Sequence, residues 1–85
     1  MEYFIIATAS RTDAISLNYQ LKAKGVRASV VSTPKEAKIG CGLSVKILSG
    51  DYFYALRLIK TAKVPSITGI FKVTETFEGK VVMRL

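Results

Sequence analysis

The 85-residue sequence has no histidine and only one cysteine, Cys41. Without histidine, neither a His-ligated metal site nor a Cys-His catalytic pair is available, which removes most common enzyme constellations. A lone cysteine cannot form an internal disulfide, so the sequence agrees with a reducing compartment and we expect a cytoplasmic protein. These absences favour a non-enzymatic carrier or binding protein with no cofactor and no metal, although they leave enzymatic activity open.

Acidic residues are also scarce, because 6 Asp and Glu stand against 13 Lys and Arg, for a net charge of +7. This balance favours an acidic partner, and nucleic acid, an anionic metabolite or an acidic protein would all fit. The basic residues are spread along the chain without a run of four, so a solvated basic surface explains them at least as well. No stretch approaches the ~20 apolar residues of a membrane span, and no membrane partner is expected.

The apolar fraction of 49% and the short length predict one domain, residues 1–85, whose small core must be efficient or shared with a second copy. Apolar runs and alternation predict strands over residues 3–9, 26–32, 43–48, 68–77 and 80–85. Helical spacing predicts helices over residues 12–24 and from 52 to no later than 64, with Phe53 at a core position of the second. Ser10 or Thr12 would cap the first helix, and Asp51 the second.

This order is βαββαβ with an appended strand, the split pattern of ferredoxin-like domains. It predicts an α+β sandwich in which a mainly antiparallel sheet has strands one and three at its centre and both helices on one face. The end of strand one, the start of helix one and the start of strand three would then lie at one edge of the sheet. Cys41 would come near Ser10 and Arg11, in the positive field of the first helical turn.

The segment STPKEAKIGCGLS, residues 32–44, contains the candidate site. Gly40 and Gly42 flank the cysteine and let the backbone approach a ligand closely, while Thr33 and Pro34 start the loop rigidly. A thiolate near a helix N-terminus and basic side chains is a nucleophile that could hold sulfur or selenium. The competing interpretation is that Cys41 packs as a small core residue. We assign binding roles to Ser10, Thr33, Pro34, Lys35, Gly40 and Gly42, although Ser10 is most simply a helix cap and Lys35 is either a solvated charge or the cation that pairs with the cargo.

The run VVSTPKEAKIGCGLSVKI resembles the signature of the selenium/sulfur carrier protein-like family, with likeness over about residues 3–73. The family's positions are taken by Ser10, Ala14, Thr33, Pro34, Cys41, Gly42 and Leu43. Ser32 stands where proline is common, and Lys35 where arginine is usual, which keeps the charge but loses bidentate anion recognition. The resemblance implies that Cys41 carries the chalcogen between donor and acceptor proteins.

Two hypotheses from other functional classes stay open beside the carrier function. The first is a ferredoxin-like binding or regulatory module for nucleic acid or an anionic ligand, in which the cysteine is structural; salt would then weaken binding steeply. The second is a regulatory domain that forms a homodimer through an exposed sheet face.

Overall fold

The computed structural model describes residues 1–37, 42–61 and 66–85 of the chain. They form five strands and two α-helices in the order β1 (Glu2–Thr8), α1 (Arg11–Ala23), β2 (Ala28–Ser32), β3 (Leu43–Leu48), α2 (Tyr52–Ile59), β4 (Ile67–Thr76) and β5 (Gly79–Arg84), with a 3₁₀ turn at Ser49–Asp51. The α+β class, the five strands and the two helices are therefore confirmed, with small shifts at the ends of the elements.

The strands form one antiparallel sheet in the order β2-β3-β1-β4-β5. β1 lies at the centre, with Tyr3 opposite Leu48 and Ala7 opposite Ser44 on β3. β5 extends the sheet beyond β4, so the arrangement differs from a simple four-stranded ferredoxin-like sheet.

Both helices pack on one face of the sheet because every second residue of β1 meets their apolar sides. Phe4 and Ile6 of β1 are buried in one cluster with residues of β3, α1 and α2, namely Val45, Ile47, Leu17, Leu21 and Ala55. The helix α1 begins where Ser10 caps it, since the Ser10 hydroxyl accepts a hydrogen bond from the backbone N–H of Asp13 at 3.0 Å. The structure thereby selects Ser10 over Thr12.

The opposite face of the sheet carries a second core. Its buried members come from β1, from β4 and from the connection between β2 and β3, and they are Tyr3, Ile5, Ala7, Phe71, Val73 and Ala37. Ile5 is 1% exposed although neither α1 nor α2 packs on this side. The centre of this face is therefore buried rather than exposed, and a homodimer through a sheet face stays a prediction.

Two sequence predictions about α2 are wrong. Asp51 makes no side-chain capping bond; its carboxylate instead accepts hydrogen bonds from the backbone N–H of Arg27 at 2.9 Å and from the Arg27 Nε at 3.1 Å. Phe53 is 78% exposed, because the buried face of α2 passes through Tyr52 and Ala55 rather than through Phe53. The Tyr52 ring stacks on Phe4 with centroids 3.8 Å apart.

Candidate functional site

The register of β1 and β3 decides where the candidate site residues meet. Ala7 at the end of β1 lies opposite Ser44 at the start of β3. Ser10 follows β1 and Gly42 precedes β3, so both lie at the same end of the sheet. Gly40 and Cys41 fall outside the described residues, and the expected approach of the thiol to Ser10 stays a prediction.

Thr33 and Gly42 close the base of the connection between β2 and β3. The backbone N–H of Thr33 donates to the Gly42 carbonyl oxygen at 2.8 Å, and the Thr33 and Ser44 hydroxyl oxygens are 2.7 Å apart. Gly42 has a φ of 90°, in the region that glycine occupies without steric cost. The structure thus brings two predicted site residues together, and their part in binding a ligand remains a prediction.

The first half of this connection turns back over the sheet face opposite α1 and α2. The backbone N–H of Ala37 donates to the Pro34 carbonyl oxygen at 3.0 Å, which forms a tight turn. Ala37 is buried against the second core, whereas Lys35 in the turn is exposed. Its ammonium is therefore available to solvent and to a dissolved anion.

The charge of Glu36 in this turn contributes, as the smallest of several causes, to the pKa of Tyr3 on the covered face. The pKa of Tyr3 is raised, first by burial of the phenol and then by the nearby carboxylates of Glu75 and Glu36. The turn therefore carries charges of both signs, Lys35 and Glu36.

The first turn of α1 is less positive than the sequence predicted. The Asp13 carboxylate accepts a hydrogen bond from the Ser66 hydroxyl just before β4, and a negative charge in the first turn offsets the positive end of the helix dipole. The Ser10 hydroxyl accepts one bond from Asp13 and keeps its own proton to donate.

Sequence reasoning missed Ser44 and Ala37 as residues that shape the site. The alternation of β3 separates Ser44 and Lys46 from its apolar positions, yet Ser44 is fully buried because the sheet is covered on both sides. No local signal identifies Ala37, which is buried only because the loop folds back. For Asp13 a signal was present, since an acidic residue three positions after a serine N-cap is visible in the sequence.

One concave surface of the described residues lies away from Ser10. A cavity of about 230 Å³ between the two helices is lined by Tyr19, Lys24 and Leu58, among others, in the half of α1 that is far from Ser10. Within residues 1–37, 42–61 and 66–85, no three His, Cys, Asp or Glu side chains come together as metal ligands. Neither helix in this part of the chain is long and apolar enough to cross a membrane.

Comparison with known proteins identifies the family. The model of the family described as "Putative Se/S carrier protein-like" matches residues 2–72, which run from the start of β1 into β4 and include the whole segment 32–44. Searches of the curated proteins and of the solved structures returned no match. The chain therefore belongs to the Se/S carrier protein-like family.

Proposed function

We propose that this protein carries sulfur or selenium on the thiol of Cys41 and delivers it to an acceptor. The observation that carries the proposal is the family match, because it spans Cys41 together with the surrounding Thr33, Pro34, Gly42 and Leu43. A carrier needs a donor and an acceptor, so two kinds of partner protein follow from it. The absence of histidine agrees with transfer by thiolate exchange, which needs no imidazole base once the thiol is ionised.

The transfer consists of two exchanges that balance without an external oxidant. The Cys41 thiolate attacks the outer sulfur of a donor persulfide, R–S–SH; a new S–S bond forms, the donor S–S bond breaks, and the donor leaves as its thiolate. An acceptor thiolate then attacks the outer sulfur of the Cys41 persulfide and releases the Cys41 thiolate. With a donor selenosulfide the same steps move selenium.

The residues around the connection have distinct roles in this proposal. Gly40 and Gly42 give the backbone room at the thiol, and the left-handed φ of Gly42 supports that role. Ser10 donates its hydroxyl proton to the anionic cargo, and the exposed Lys35 supplies a positive charge. Pro34 fixes the turn, while Thr33 holds the base of the loop through its bonds to Gly42 and Ser44.

We further propose that the sheet is a ferredoxin-like core extended by β5. The central antiparallel pair of β1 and β3, flanked by β2 and β4, supports this assignment. The single cysteine suits a cytoplasmic location, where glutathione and thioredoxin keep thiols reduced.

Mass spectrometry tests the carrier function directly. The protein is incubated with a small-molecule persulfide donor or with a selenosulfide, and the intact mass should rise by one sulfur or one selenium atom on Cys41. Cys41→Ser should gain nothing. Lys35→Gln should slow loading, with Lys24→Gln as the matched control because Lys24 is an exposed lysine at the far end of α1. An unmodified wild-type mass with every donor would refute the proposal.

A second candidate function is binding of an anionic polymer through the basic surface. Within residues 1–37, 42–61 and 66–85 the ion pairs are Arg27 with Asp51 and Lys72 with Glu2, so most of the basic side chains in this part of the chain form no ion pair. For this function Cys41→Ser should bind single-stranded RNA as tightly as the wild type, and affinity should fall steeply with salt. Binding that is independent of salt would exclude it.

A further inference from the structure

The outer strand β5 presents unpaired backbone groups along the edge of the sheet. The backbone N–H of Leu85 donates to the Ile70 carbonyl oxygen on β4 at 2.8 Å. Since inward and outward bonding alternate along an antiparallel strand, Val81 and Met83 also bond toward β4. The N–H and C=O groups of Val82 and Arg84 point outward, and no strand lies beside them in the described part of the chain.

The same strand carries an exposed apolar row on one face. Met83 lies opposite Lys72 and Val81 opposite Thr74, which puts these side chains on the helix side of the sheet. The helices cover the strands around β1 and do not reach β5, so Val81, Met83 and Leu85 are 64%, 56% and 54% exposed. An apolar edge of this kind is normally covered by another element, because it otherwise invites pairing with a further strand.

The basic residues of β5 do not shield the apolar row from a further strand, because they lie on the other face of the sheet. Lys80 lies opposite Glu75, and the Arg84 guanidinium lies over the Phe71 ring, 5.6 Å from its centroid. Both pairs belong to the face opposite the apolar row, as Phe71 does. Arg84 also donates to the Thr68 carbonyl oxygen at 3.0 Å, which holds it on its own subunit.

We propose that β5 pairs with β5 of a second copy of this chain, antiparallel and about a two-fold axis at Met83. In this register Met83 faces its own equivalent and Val81 faces Leu85 of the second copy, so the apolar row becomes continuous. The outward groups of Val82 meet those of Arg84. A register centred on Val82 would place Lys80 opposite Arg84, and like charges directly opposite each other destabilise a strand pair.

The contact between the two β5 strands buries a small area. A six-residue strand is roughly 20 Å long, and one row of side chains along it covers less than about half of the ~800 Å² per partner that stable interfaces bury. The pairing is therefore reversible and depends on concentration, and it joins two five-stranded sheets into one of ten.

Sedimentation velocity over micromolar to millimolar concentrations tests this interface. The wild-type protein should shift from monomer to dimer. Met83→Lys and Met83→Glu should each raise the dissociation constant at least tenfold, because each puts like charges at the axis, while an equimolar mixture of the two should dimerise again. Ile15→Lys is the matched control, since Ile15 on α1 is 57% exposed.

Circular dichroism should show that each variant is folded, because the substituted side chains are exposed. The proposal is overturned if the wild-type protein stays monomeric at millimolar concentration, or if Ile15→Lys weakens the dimer as much as Met83→Lys. A mixture of the two Met83 variants that stays monomeric would also overturn it, because the restored pairing depends on Met83 facing itself.

Discussion

Removing the Thr33 hydroxyl and removing the Ser44 hydroxyl should lower the free energy of unfolding by different amounts. The two oxygens are 2.7 Å apart, and this contact ties together the two strands from which the connection with Cys41 arises. Ser44 is fully buried, whereas Thr33 is half-buried. Removing either hydroxyl deletes the same hydrogen bond, but the group left behind differs.

The magnitude follows from that difference. In Ser44→Ala the remaining Thr33 hydroxyl can turn to water, so the free energy of unfolding should fall by only the net value of the bond, about 1 kcal/mol. In Thr33→Val the remaining Ser44 hydroxyl is buried without this partner, which adds a desolvation penalty and brings the loss to about 2 kcal/mol. The double variant leaves no unpaired buried hydroxyl, so its free energy of unfolding should fall by about 1 kcal/mol, well short of the sum of the two single losses.

Urea unfolding of the wild-type protein, both single variants and the double variant measures these free energies, provided that the slopes agree. A loss of 1 kcal/mol should lower the melting temperature by roughly 4–8 °C in a domain of this size. Ser44→Ala costing more than Thr33→Val, or additive losses in the double variant, would refute the reasoning from burial.

Two further predictions concern the region around α2. Hydrogen bonds from the side chain and the backbone N–H of Arg27 lower the pKa of Asp51, so this carboxylate stabilises the fold above its unfolded pKa of about 3.9, and that contribution disappears as the pH falls through the lower folded pKa. Asp51→Asn should therefore melt below the wild type at pH 7, with the difference closing in acid, as thermal scans across pH would show. Tyr52→Ala should cost about 1–3 kcal/mol because the ring stacks on Phe4, whereas Phe53→Ala should stay within about 0.5 kcal/mol in urea unfolding because Phe53 is 78% exposed.

The sequence predicted the elements of the fold because their signals are local. Glycine at residue 25 has a φ of 90° just after α1, and Ser10 caps that helix as the pattern of small polar residues indicated. The antiparallel sheet then follows from the order of elements and from right-handed crossovers. None of these inferences requires knowledge of a distant side chain.

The errors arise where a distant residue decides the outcome. Asp51 had the right position for a helix cap, but Arg27, 24 residues earlier, takes its carboxylate. The polar side chain of Ser44 gives no signal of burial in the sequence, and the face on which it lies is buried because residues distant in the chain, Ala37 among them, pack there. The environment of Cys41 lies beyond both the local signals and the described residues.

Loading of sulfur on Cys41 and dimerisation through β5 use different parts of the sheet, so each can be removed without the other. β1 and β4 lie between β3, which begins beside Gly42, and β5, which contains Met83. Pairing through β5 therefore leaves the end of the sheet with Ser10 and Gly42 uncovered, and a dimer can still receive a donor there. Met83→Lys should abolish association while Cys41 still gains a sulfur atom, and Cys41→Ser should dimerise without loading. Loss of loading in Met83→Lys would mean that the carrier needs both copies, and the separation inferred from the strand order would be wrong.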